Sequence, residues 1–224
     1  MKQLMYLGVL LLLTIGACTE PPVVFTEAQP QGLPAEPYIN MVYRGTFFCE
    51  SDSATVHIKA RTIHKERLYA FSIPKAEVDT MQDATLEDSI LVIKGFEESI
   101  PVEIINDTLY ADIMIRDTLF EMSSKQILKY YKGHQVISKE LDPEKWEVII
   151  LSLDGDMNLR LSEAILPADL EALEEITPVE DISTEEQIQI RVSPSYLEFG
   201  EILQKQLIFQ ECDLFTRMKL TTEI

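Results

Sequence analysis

The chain has 224 residues, with 19 Lys and Arg against 38 Asp and Glu, so its formal charge at pH 7 is −19 although 46% of it is hydrophobic. A surface this acidic repels phosphates and excludes nucleic acid as a partner, because non-specific affinity for it comes from Lys and Arg replacing counterions. The same sign excludes electrostatic docking on anionic lipid.

At the N-terminus, Lys2 supplies a positive charge, an apolar run extends over 4–13, and Ile15-Gly16-Ala17-Cys18 places small residues directly before a cysteine. About fourteen apolar residues fall short of the ~20 needed to cross a bilayer, so 1–17 reads as a signal peptide. The tetrapeptide resembles the bacterial lipobox. That resemblance implies acylation of Cys18 and attachment to a membrane through N-terminal acyl chains, of which one holds marginally and two or three essentially permanently. Thr19 is not the aspartate that retains many such lipoproteins in the inner membrane of enteric bacteria, which implies the outer membrane. Removing 1–17, whose one charged side chain is Lys2, leaves 207 residues with 18 basic and 38 acidic groups. That length suits a single domain with a tether.

Five of the eleven prolines fall at 21, 22, 30, 34 and 37. Proline fixes φ and removes a donor, which predicts an extended, lipidated tether over 18–40 with little secondary structure, ahead of one β-rich domain over 41–224. Phe25-Thr26-Glu27-Ala28-Gln29-Pro30 resembles a segment common just after the acylated cysteine in lipoproteins of the Bacteroidota. The resemblance continues through Tyr130-Tyr131-Lys132-Gly133 and Trp146-Glu147-Val148, and it implies no activity. With Cys18 acylated, Cys49 and Cys212 remain, in a compartment that permits oxidation. Two readings stand: a disulfide fastening the first strand to the last, or two buried thiols acting as small apolar side chains.

From Met41 to about Leu161 the hydrophobic period is two. It predicts strands at 42–49, 55–60, 63–73, 89–94, 100–106, 108–115, 118–122, 127–132, 134–138, 146–153 and 158–162. Turns are expected at Asn106-Asp107, Arg116-Asp117, Lys132-Gly133 and Asp154-Gly155-Asp156. After Ile165 the spacing of Leu166, Leu170, Leu173 and Ile176 predicts a short amphipathic helix ended by Pro178. An acidic connector to Glu186, a strand at 187–192 and a second helix to about Lys205 follow. That helix starts with Ser193 as N-cap and Pro194 at its first position, and it turns Tyr196, Phe199, Ile202 and Leu203 to the core. Strands at 207–210 and 214–220 return the chain to the neighbourhood of Cys49. The expected fold is mainly β, an antiparallel meander forming a barrel or barrel-like sandwich, with two short helices in the C-terminal third.

Few constellations carry chemistry. Asp154, Asp156 and Asn158 stand where a calcium loop has ligands. Leu159 then replaces the glycine that loop needs and Ile165 its bidentate glutamate, so the segment reads as a hairpin turn. Asp52-Ser53-Ala54, Asp79-Thr80-Met81 and three further triplets resemble the Asp-Ser/Thr-apolar acceptor of O-glycosylation in exported Bacteroidota proteins. Ser53 and Thr80 are the favoured acceptors, although an acidic meander also generates such triplets as turns. His57, His64 and His134 lack zinc-ligand spacing, and the first two would face opposite ways on one continuous strand. No nucleophile elbow, phosphate loop or dinucleotide fingerprint appears, so no catalytic residue, metal or cofactor is assigned. Tyr110, Phe120, Tyr130 and Trp146 are candidates to line a barrel mouth for an apolar or glycan ligand, or else to fill the core. The expected function is therefore non-enzymatic: an envelope lipoprotein that binds a small ligand or serves an envelope complex. The alternative is a hydrolase of envelope glycans.

Overall fold

The computed structural model describes residues 20–51, 53–95 and 99–218, with the backbone alone at 211–213. Residues 1–17, on which the expected signal peptide falls, Cys18, Asp52 and the Cys212 side chain lie outside it. The strands are β1 (Val23–Phe25), β2 (Gly45–Cys49), β3 (Ala54–Ile58), β4 (Thr62–Pro74), β5 (Ala84–Glu87), β6 (Ile90–Ile93), β7 (Ile100–Pro101) and β8 (Glu103–Ile105). Then come β9 (Thr108–Glu121), β10 (Gln126–Tyr131), β11 (His134–Asp142), β12 (Lys145–Leu153), β13 (Leu159–Ala164), β14 (Val179–Asp181), β15 (Ile190–Val192) and β16 (Phe209–Arg217). Among the described residues three α-helices interrupt them: α1 (Lys75–Val78), α2 (Leu170–Glu174) and α3 (Tyr196–Lys205).

One large sheet runs β10-β11-β12-β13-β16-β2-β3-β4-β9-β8 through antiparallel neighbours. The sheet curls so that one face of almost every strand meets a single core containing Phe47, Val56, Ile63, Phe120, Leu128, Ile149, Leu159 and Phe215. The period of two makes this possible, since alternate residues share a face. β12 is buried on both sides. Ile149 and Leu151 belong to the first core, while Val148 and Ile150 join Phe25, Tyr131, Leu173, Phe199 and Phe209 in a second core beneath α2 and α3. Hence the unbroken apolar run Val148-Ile149-Ile150-Leu151, as expected for a strand covered on both faces.

The fold is mainly β as expected and compatible with the sandwich-like arrangement, but it is not a closed barrel. The sheet remains open, because β10 pairs with β11 alone and the far halves of β4 and β9 leave the curl as a ribbon. The gap beside β10 is spanned by irregular chain: the Glu36 N–H donates to the Leu128 carbonyl (2.7 Å) and the Ile39 N–H to the Ala60 carbonyl (2.9 Å), with Ile39 wholly buried. This chain belongs to the stretch expected to be a tether. From Glu20 onward that stretch is part of the folded domain: β1 is completely buried, pairs parallel with β15, and sets Phe25 opposite Trp146. Prolines 21, 22, 30, 34 and 37 did keep most of the segment irregular, but Val23-Val24-Phe25 provides enough apolar surface to insert as a strand. Full burial of each such side chain stabilises by about 1.5–3 kcal/mol.

Other boundaries moved for local reasons. Arg116-Asp117 is no turn: β9 runs straight through, Arg116 opposite Glu66 and Asp117 opposite Lys65. Met41–Tyr43 is a 3₁₀ turn capped by Asn40. The polar connector contains β14, paired to β15 through Glu180 opposite Arg191. β16 is one bulged strand where two were expected, and it lies beside β2 as anticipated, Thr216 opposite Phe48. Helix α3 starts later than expected. Its N-cap is Ser195, in a capping box with Glu198, and neither Ser193 nor Pro194 has that role. At two of the expected turns the backbone agrees: Asn106-Asp107 and Lys132-Gly133 both take the consecutive positive φ of a tight hairpin, as does Asp88-Ser89.

Candidate functional site

The ribbon of β4 and β9 holds continuous register from Lys65 opposite Asp117 to Pro74 opposite Thr108. One face carries Phe71, Ile73, Leu109, Ala111 and Ile113 into a third core, under the small sheet β5-β6-β7 and α1. Facing residues share a side, so Leu68, Met114 and Tyr110 lie together on the other face, each about half exposed. The edge strand β8 extends this surface with Ile105, opposite Thr108. An open depression of about 510 Å³ lies here, lined by Ala70, Phe71, Pro101, Val102, Glu103, Tyr110, Ala111 and Asp112. At the base of the ribbon Glu66 accepts from Arg116 Nε (2.7 Å) and faces His57 Nε2 at 3.1 Å. The Arg116 hydrogen bond, helped by His57, holds the Glu66 carboxyl below the usual carboxylate range.

The residues nominated from the sequence do not converge. Tyr110 lines the depression. Phe120 is wholly buried in the first core, so it lines no ligand site. Tyr130 is half exposed on β10, and Trp146 packs partly buried against the second core, opposite Phe25. Ser53 and Thr80 are both exposed, Ser53 in the β2–β3 turn at φ +51° and Thr80 just after α1, donating to the Glu77 carbonyl at 2.7 Å. Cys49 is a buried free thiol, 3.0 Å from the Ser51 hydroxyl. Register explains why it is unbridged. Extending the pairing of Thr216 with Phe48 by one step sets Phe215, not Cys212, across from Cys49. Cys212 is three residues away, about 10 Å along the strand, beyond the reach of a disulfide.

His57 and His64 are not on one strand. They face each other across β3 and β4, on the same side. Their partners differ: His57 Nδ1 meets Thr46 Oγ1 and His64 Nδ1 meets Thr118 Oγ1, each at 3.2 Å. His134 Nδ1 meets Ser152 Oγ at 3.2 Å, and burial pushes its pKa down. Among the described residues no three His, Cys, Asp or Glu side chains gather as metal ligands would. Asp154 is occupied by its own turn, its Oδ1 accepting the N–H groups of Asp156 (3.0 Å) and Asn158 (2.9 Å).

Sequence reasoning missed one buried constellation. Lys129, almost fully enclosed, donates to the carbonyls of Ala28 (2.7 Å) and Pro30 (2.8 Å), and burial lowers its pKa. Gln29 is wholly buried beside it, its N–H donating to Ser138 Oγ at 3.0 Å. Lys129 sits on the same side of β10 as Tyr131, which packs on Phe199 as Phe25 does. Phe25 to Pro30, Lys129 to Tyr131 and Trp146 are thus brought together and hold the N-terminal chain down. Compared with known proteins, the chain matches no protein family, no curated protein and no solved structure.

Proposed function

We propose that this chain is an extracytoplasmic lipoprotein, anchored through Cys18 in the outer membrane, whose β4–β9 ribbon recognises a protein of the envelope and performs no chemistry on it. The observation that carries the reading is the half-exposed apolar face of Leu68, Tyr110 and Met114, continued by the edge strand β8. Its depression is open, whereas a small-molecule pocket encloses most of its ligand. A flat apolar face beside a strand edge suits a partner chain. Glu103 and Asp112 flank Tyr110, the arrangement a glycan hydrolase would exploit, but both are exposed. A general acid at neutral pH is a desolvated carboxyl, which favours binding over hydrolysis.

The test is site-specific photocross-linking in cells producing the full chain. A photoreactive residue at Met114 is expected to give one discrete adduct, absent with the probe at Met157 and lost on Leu68→Asp. No adduct at Met114, or an adduct indifferent to Leu68→Asp, rejects the ribbon as the recognition surface. Cys18→Ala tests the anchor separately and is expected to release the protein from the membrane fraction.

A further inference from the structure

Glu20 is pinned from the moment the described chain begins. Its carbonyl accepts from Gln187 Nε2, and its carboxylate lies 3.3 Å from both Lys145 Nζ and Gln189 Nε2. The carbonyl of Pro21 accepts from Gln189 Nε2 at 2.8 Å and that of Pro22 from the Ile190 N–H at 3.0 Å. Only Thr19 separates Glu20 from Cys18. Consecutive Cα atoms are 3.8 Å apart, so whatever its conformation the chain places Cys18 within about 8 Å of Glu20.

Resting on the acylation of Cys18, we propose that the edge formed by Glu20, the turn at 142–145 and the loop at 182–189 is apposed to the bilayer, so that the domain rides directly on phospholipid headgroups. Acyl chains in the hydrocarbon fix Cys18 at the interface, and the two loops that bind Glu20 must then face it. The most exposed large apolar side chain of this edge is Ile188, two-thirds exposed between the two glutamines that hold Glu20 and Pro21. The turn carries Glu144, held near Arg191 at 3.8 Å. Beside Glu20 a cleft of about 190 Å³ is lined by Pro21, Pro22, Glu147, Glu163 and Ile165. β12 leads away from this edge for nine residues, about 26 Å, so the turn at 154–158 marks the distal end.

The experiment uses the full, acylated chain purified from cells and reconstituted in phosphatidylethanolamine vesicles containing a headgroup-linked nitroxide quencher. Cys49 and Cys212 are replaced by Ala, and a fluorophore is attached through Ile188→Cys or Asp156→Cys. Quenching at 188 is expected to exceed that at 156 at least threefold. Twenty Gly and Ser residues inserted between Thr19 and Glu20 should bring the two positions level. Protein that floats with the vesicles but quenches equally at both positions overturns the apposition and leaves the anchor standing. Failure to float overturns both. Hydrogen exchange on the chain with its native cysteines gives the same decision without labels: amides at 183–188 slow on vesicles relative to the linker-extended chain, whereas those at 154–158 do not. Equal exchange at 183–188 in the two chains overturns the proposal.

Discussion

Phe25→Ala decides whether the proline-rich N-terminal stretch is structural. Phe25 is wholly buried, stacked on Phe209 at 6.1 Å with 12° between rings, and edge-on to Phe199 at 6.4 Å. Truncating a buried Phe to Ala costs about 3–5 kcal/mol through lost transfer energy and the cavity left behind. Aromatic neighbours in fixed register relax poorly, which places this site in the upper half of that range. A domain of this size shifts its Tm by roughly 2–4 °C per kcal/mol, so the loss amounts to roughly 8–20 °C. Urea titration is the assay. Trp146 is the one tryptophan of the chain and lies across from Phe25, so its fluorescence reports both global unfolding and any local release of β1. A tether would behave otherwise. A change below about 0.5 kcal/mol, the range of surface substitutions, refutes the insertion of β1.

Gly200→Ala should destabilise, although Gly to Ala in a helix interior ordinarily gains ~1 kcal/mol. The new Cβ would stand 2.2 Å from the Tyr131 hydroxyl, a clash worth about 1–3 kcal/mol in thermal denaturation, and Tyr131→Phe in the same chain should restore most of it. Lys129→Ala leaves the Ala28 and Pro30 carbonyls without their donor, and a loss of about 1.5–3 kcal/mol in urea is expected, with faster exchange at 27–31. His134 is held neutral by burial, its folded pKa below the unfolded value near 6.5. The unfolded chain therefore binds the extra proton as pH falls below ~6.5, and stability declines from there down to the folded pKa and then levels. His134→Gln should flatten that part of the pH profile. An unchanged slope would show that the decline belongs to other groups.

Period and turn chemistry made the meander legible. Asn106-Asp107 and Lys132-Gly133 state their hairpins in two residues each, because few side chains tolerate consecutive positive φ. Arg116-Asp117 looked similar, yet cross-strand pairing with Glu66 and Lys65 supplied a reason to stay extended that only the partner strand reveals. Non-local pairing also decided β1: proline content argued for a tether, and nothing within ten residues of Val23 announces Trp146 or Val192. The candidate aromatics show the same limit. Phe120 and Tyr110 lie ten residues apart on one strand and share a parity, but the bulge after Thr118 turns Phe120 to the core side, opposite Ile63, while Tyr110 stays on the other face, opposite Ser72.

Order of synthesis gives the N-terminal seam a further meaning. The partners described for Glu20 to Phe25 begin at Lys145 and continue through Gln187, Ile190, Phe199 and Phe209. A chain made at about 5–20 residues per second therefore extends for roughly 10–40 s between the emergence of Phe25 and that of Phe209. Until Lys145 and Trp146 are made, Glu20 to Phe25 have none of these partners. Once Phe209 stacks on Phe25 the seam is closed, with Glu20 held onto the edge beside Gln187.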